Sequence, residues 1–105
     1  MHVISKRPFF DAAKAYPNHR QALEDMYKIL DENRFDFPHE MRRFFPSLDN
    51  FSYRDKWWVI DVAGNRLRVI AFIQFPRHFL YVKHIVTHAG YDRLRNRYAR
   101  GDWKW

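Results

Sequence analysis

Between Asp55 and Asp92 the chain reads DKWWVIDVAGNRLRVIAFIQFPRHFLYVKHIVTHAGYD, and this segment concentrates side chains able to bind and cut a phosphodiester. Arg66, Arg68 and Lys83 supply positive charge, His84 and His88 supply imidazoles, and Tyr91 adds a phenol. A guanidinium matches two phosphate oxygens at once and keeps its charge at any physiological pH. A free imidazole titrates near pH ~6.5 and so serves as acid or base near neutrality. Cutting RNA through its own 2′-hydroxyl needs a base for that hydroxyl, an acid for the leaving 5′-oxygen, and stabilisation of the extra charge on the phosphorane. The sequence shows no aspartate–histidine nuclease pair and no spaced carboxylate cluster of the kind that holds Mg²⁺. A metal-free route without a cofactor is therefore expected.

Each of these residues also has an ordinary structural reading. Arg68 can pair with Asp61 across a hairpin. His88 can simply begin a helix, and Tyr91 can be a core tyrosine with its hydroxyl at the rim. Lys56 alone carries no signal. His2, His19, His39 and His78 lack metal-ligand spacing and are expected on the surface or in loops.

The elements that must position these groups follow from periodicity. Met1 to Ser5 suits a short first strand. Pro8 fits the first turn of a helix that presents Phe9, Ala13 and Tyr16 on one side and stops at Pro17. Asn18 with Gln21 resembles a capping box for a second helix, whose Leu23, Met26, Tyr27 and Leu30 form a buried stripe. Arg34 to Asn50 is expected to be irregular, with a helical turn at His39 to Phe44. Three strands follow, at about Trp57–Val62, Leu67–Phe75 and Leu80–Val86, the first pair joined at Gly64-Asn65. Thr87 can cap a last helix from about His88 to Tyr98. The order is β-α-α-β-β-β-α, an α+β domain with its helices packed on one face of a mainly antiparallel sheet. On the third strand Leu67, Val69, Ala71 and Ile73 must meet the helices, while Arg66, Arg68, Ile70, Phe72 and Gln74 share the other face. Lys83 and His84, adjacent on a strand, should point to opposite faces.

Composition narrows the partners. A chain of 105 residues is one domain, 1–105, and its 47% hydrophobic and 19% aromatic content suits a folded globule. The formal charge of +7 and pI near 10.0 favour a polyanion: nucleic acid, ribosome or anionic lipid. Cysteine is absent, which excludes disulfides and thiolate metal sites and fits an intracellular protein. MHVISKRPFF is not a secretory signal, and no apolar run approaches membrane-spanning length, so a cytoplasmic protein without membrane partners is expected. No helix-turn-helix pattern points to DNA.

Three blocks in order, FPSLDNF (Phe45–Phe51), DKWWVIDVAGNRLRVIAF (Asp55–Phe72) and THAGYD (Thr87–Asp92), resemble the HigB-type toxins of bacterial toxin–antitoxin systems, members of the RelE superfamily. The resemblance covers nearly the whole chain. It implies a small RelE-like domain and an endoribonuclease that cuts translated mRNA in the A site of the 70S ribosome. It also implies neutralisation by a HigA-type helix-turn-helix antitoxin, with a hetero-oligomer of the two proteins.

By that resemblance Arg68 stands where the family holds a phosphate-contacting arginine, Tyr91 at a stacking or proton-transfer position with His88 and Asp92 beside it, and Lys56 near the scissile phosphate. The expected catalytic set is Lys56, Arg68, His88 and Tyr91, with the base and acid open among Lys56, His84, His88 and Tyr91. The expected RNA-binding set is Arg66, Lys83, His84, Arg93, Arg97 and Arg100, the last three meeting rRNA phosphates. Arg42 and Arg43 can add to that footprint. Trp103 and Trp105 suit stacking on bases, covering the core or docking an antitoxin segment. The competing reading is a non-catalytic RNA- or ribosome-binding module.

Overall fold

The computed structural model describes residues 1–101. Its elements are β1 (His2–Val3), α1 (Arg7–Ala15), α2 (Arg20–Glu32), α3 (Pro38–Met41), β2 (Asp49–Asn50), β3 (Trp57–Val62), β4 (Leu67–Gln74), β5 (Phe79–Thr87) and α4 (His88–Ala99). The strands form one sheet in the order β1-β5-β4-β3-β2. All pairs are antiparallel except β1, which runs parallel to β5 and touches it only at Phe79 and Leu80.

The α+β class and the mainly antiparallel sheet are as expected, but the helices take both faces of the sheet. Leu67, Val69, Ala71 and Ile73 of β4 face α1 and α2, where Phe9, Ala12, Leu23, Met26 and Leu30 complete the larger core. Burying each such aliphatic side chain stabilises the fold by roughly 1.5–3 kcal/mol. On the opposite face Ile70 is fully buried with Phe51, Trp57 and Val59, and α4 lays Tyr91 and Tyr98 over them. An apolar row of that size demands its own cover, and α4, which follows β5 directly, folds back over it.

Several local expectations change. The first strand shrinks to two residues, and two residues after Leu48 form β2, too short a stretch for any period-two signal. The Asn18 capping box does not form. Pro17–His19 make a 3₁₀ turn, and Gln21 Nε2 donates instead to Asp25 Oδ1 at 2.8 Å. The expected turn at His39–Phe44 begins one residue earlier, at Pro38, and its helix ends at Met41. Thr87 does cap α4, accepting from Gly90 N at 3.1 Å.

The largest departure is on β5. The pairing slips between Ile70, opposite His84, and Ala71, opposite Val82, so Lys83 is an extra residue in the ladder. A β-bulge of this kind turns two successive side chains to the same side. Lys83 and His84 consequently share the α4 face: Lys83 Nζ lies 5.6 Å from the Trp57 ring centroid, and the His84 and Trp57 centroids are 6.4 Å apart.

The β3–β4 hairpin spans a four-residue loop, Ala63–Arg66, between the paired Val62 and Leu67. Its left-handed residues are Ala63 (φ 57°) and Gly64 (φ 70°), one position earlier than the Gly64-Asn65 pair the sequence suggests. Gly64→Ala should cost about 1 kcal/mol, because it places a second Cβ in a left-handed conformation. Ala63→Gly should cost nothing, since it removes such a Cβ. Urea unfolding of the two variants checks this, and equal losses would contradict it.

Candidate active site

Arg68 sits at the point where β4 leaves the cover of α4. Its register partner is Asp61 of β3, and Arg68 Nε lies 3.3 Å from Asp61 Oδ1. That Nε is buried and finds no aligned hydrogen bond, so charge rather than bond geometry holds the pair. The guanidinium carbon lies 4.5 Å from the centroid of the Tyr91 ring, a cation–π contact that fixes the plane of the fork. The ordinary reading of Arg68, a pair with Asp61 across the hairpin, is thus realised.

Around this pair opens a cleft of about 180 Å³, lined by Ser47, Asp49, Asn50, Asp61, Arg68 and Tyr91. The short β2 delivers Asp49 and Asn50, and Ser47 Oγ accepts from the Asp61 backbone N–H at 2.8 Å. These three polar residues were not among the expected site residues. Their signal lay in the FPSLDNF block, which carries no periodicity of its own.

α4 supplies the rest. His88, Tyr91, Asp92 and Arg95 follow at i, i+3, i+4 and i+7 and so share a side of the helix. Asp92 lies 4.0 Å from His88 Nε2 and 3.9 Å from Arg95 Nη2, and Arg95 approaches the Tyr91 ring to 6.0 Å. Burial pushes the Tyr91 phenol above its ordinary pKa, with the charges of Arg68 and Arg95 only partly opposing it. The hydroxyl therefore stays protonated at neutral pH, able to donate a proton or a hydrogen bond but not to act as the base.

Lys56 is not part of this constellation. It is exposed, has φ 62°, and precedes Trp57, which pairs with Phe72 at the far end of the hairpin. Five residues separate it from Asp61, roughly 16 Å along a strand. The sequence block that contains Lys56 is contiguous with β3, and the strand direction puts Lys56 at the opposite end of β3 from Asp61.

The expected RNA-binding residues divide into groups. Arg66 is exposed in the hairpin loop, beside the Arg68 end. Lys83 and His84 belong to a second cluster near Tyr98, where His84 Nε2 and Tyr98 Oη are 3.1 Å apart. Tyr91 and Tyr98 are seven residues apart, so the two clusters lie about 10 Å apart along α4. Burial first, and then the charges of Lys83 and Arg97, hold the His84 pKa below its ordinary value and keep the ring neutral. Arg93 and Arg100 are exposed on the outer side of α4. Arg42 lies over the Trp58 ring on the other face of the sheet, 5.9 Å from its centroid. Trp103 and Trp105 lie outside the described residues.

Comparison with known proteins adds an independent line. Residues 19–94 match the HigB_toxin family, described as the RelE-like toxic component of a toxin–antitoxin system. The chain is similar to the mRNA interferase HigB of Escherichia coli O6:H1 (strain CFT073), 53% identical over 98 residues that cover 93% of this chain and 95% of that protein. It is 39% identical to the mRNA interferase toxin HigB of Escherichia coli K12 over 92 residues, 88% of each.

The lowered pKa of His84 has a sign that can be read in stability. Below the ordinary value of 6.5 the unfolded chain takes up a proton that the folded ring refuses, so stability falls as pH drops from there towards the lower folded value. Urea midpoints followed through that window should decline for the unmodified protein and decline less for His84→Gln. Identical slopes would assign the effect to another group.

Proposed function

Because this chain belongs to the HigB_toxin family of RelE-like toxic components, we propose that it is an mRNA endoribonuclease, that it cuts translated mRNA in the ribosomal A site by metal-independent transesterification, and that a HigA-type helix-turn-helix antitoxin restrains it in the cytoplasm. The observation that carries the reading is Arg68, held over Tyr91 at the mouth of a polar cleft.

In this reading Asp61 engages the Nε side of Arg68, and the outer Nη groups meet the scissile phosphate as negative charge builds on the phosphorane. Tyr91 donates from its protonated hydroxyl or stacks on a base. His88, one helical turn before Tyr91, exchanges the proton, with Asp92 beside it to orient the ring. Lys56 has no role at the phosphate. The net charge of +7 and the outward arginines Arg93 and Arg100 suit rRNA phosphates, with affinity falling steeply as salt rises. Among the described residues no helix is long and apolar enough to cross a membrane.

One observation favours the alternative, a non-catalytic RNA- or ribosome-binding module: Arg68 already has an acidic partner in Asp61 and a stacking partner in Tyr91, as a purely structural arginine would. Primer extension on a reporter mRNA in a bacterial translation extract separates the two. The enzyme reading expects discrete in-frame cuts that require active ribosomes and weaken by roughly 10²–10³ in Arg68→Ala. Undiminished cutting by Arg68→Ala would remove Arg68 from the phosphate. No cuts by the intact, folded protein that still binds ribosomes would leave the binding module.

A further inference from the structure

Beyond the C-terminal end of α4 the same sheet face continues, and among the described residues no helix lies over it. The strand register sets Trp57, Phe72 and Tyr81 in one row across β3, β4 and β5. Phe79 stands beside the row, its ring centroid 6.0 Å from that of Phe72. Trp57 is buried under Phe51 and Tyr98, Phe72 and Phe79 are half-buried, and Tyr81 is 41% exposed. Two residues on from Tyr81 and so on the same side of β5, Lys83 reaches into this row, its ammonium 4.4 Å from the Tyr81 ring centroid. Arg54 flanks the row on the other side, 5.2 Å from the Trp57 ring centroid.

We propose that this row is a binding subsite for single-stranded RNA, in which Tyr81 and Phe72 receive an unpaired base and Lys83 receives the adjoining phosphate. Aromatic rings on a sheet face with cations interleaved are the chemistry by which unpaired bases and their backbone are held together. The flexible stem of Lys83 lets its ammonium move from the Tyr81 ring to a phosphate as the base takes its place. Charge complementarity selects RNA over an apolar protein segment, since two cations sit against the aromatic faces, where a protein partner would ask for a dry apolar floor. Phe72 and Arg68 lie four residues apart on β4, roughly 13 Å, with α4 covering Ile70 between them, so an RNA chain of a few nucleotides that passes round α4 reaches both this row and the Arg68 cleft. The subsite therefore rests on, and deepens, the reading of the chain as an enzyme acting on RNA. It supplies grip on the flanking nucleotides with little choice of base, because every base has a face to stack.

The test measures binding apart from cutting. The probe is a short, unstructured, fluorescein-labelled 2′-O-methyl oligoribonucleotide, which lacks the nucleophile for cleavage, and the readout is anisotropy. Tyr81→Leu should weaken binding roughly five- to hundredfold and Tyr81→Trp should restore it. Lys83→Gln should reduce the slope of log affinity against log salt by about 0.7. Tyr81 is a surface residue, so its replacement should leave the fold intact, which urea unfolding checks. Affinity unchanged in Tyr81→Leu overturns the subsite. So does a loss confined to association with the helix-turn-helix antitoxin, which would give the row to a protein partner. Failure of the interferase reading is distinguishable: absent cleavage with Tyr81-dependent binding would remove the enzyme and keep the subsite.

Discussion

A strand buried on both faces can carry a charge only where its cover ends. β4 is that strand, with α1 and α2 against one side and α4 against the other. Its one internal cation, Arg68, sits at the first turn of α4 and must be met there by opposite charge and by an aromatic face, since a buried unpaired guanidinium is prohibitively costly. Asp61 and Tyr91 meet it. The same requirement fixes the direction of α4, because Tyr91 reaches Arg68 only if the helix starts beside Thr87 and runs back along the sheet. Phe51 then packs against both Tyr91 and Tyr98, at 6.3 and 5.2 Å, tying the loop after β2 to that helix.

The electrostatics of this face are more mixed than a net charge of +7 suggests. Two aspartates, Asp49 and Asp61, line the cleft around Arg68, and Asp92 stands between His88 and Arg95. Such carboxylates hold cations in fixed directions while the rest of the molecule supplies the attractive field for a polyanion. Orientation and attraction come from different residues.

Periodicity made β3, β4 and β5 legible to within a residue or two, because each is long enough to repeat. The α1–α2 stripes and the Thr87 cap were readable for the same reason, as was the alternation that sends Leu67 and Val69 to one side and Arg68 and Ile70 to the other. What was hidden has no local signature. A two-residue β2 cannot alternate. A bulge at Lys83 looks like any other step in a regular strand and is defined only by its partner. The face taken by α4 follows from where Ile70 and Trp57 need cover, a tertiary demand. The separation of Lys56 from Arg68 was hidden too, because adjacency in a sequence block says nothing about which end of a hairpin a residue occupies.

The bulge has a bearing on how the sheet ends. β1 pairs with β5 only at Phe79 and Leu80, so among the described residues no strand lies along the outer side of Tyr81–Thr87. A flat, regular rim of that length would be a template onto which a second copy could add its own strand, and so on without limit. An extra residue in mid-strand breaks the even spacing of outward N–H and C=O groups and sharpens the local twist. That the extra residue is a lysine adds a charge no apolar newcomer can easily bury. The irregularity that sets His84 on the same side as Lys83 thus also guards the rim against runaway self-association, so that a basic, aromatic-rich chain keeps a sheet of finite width.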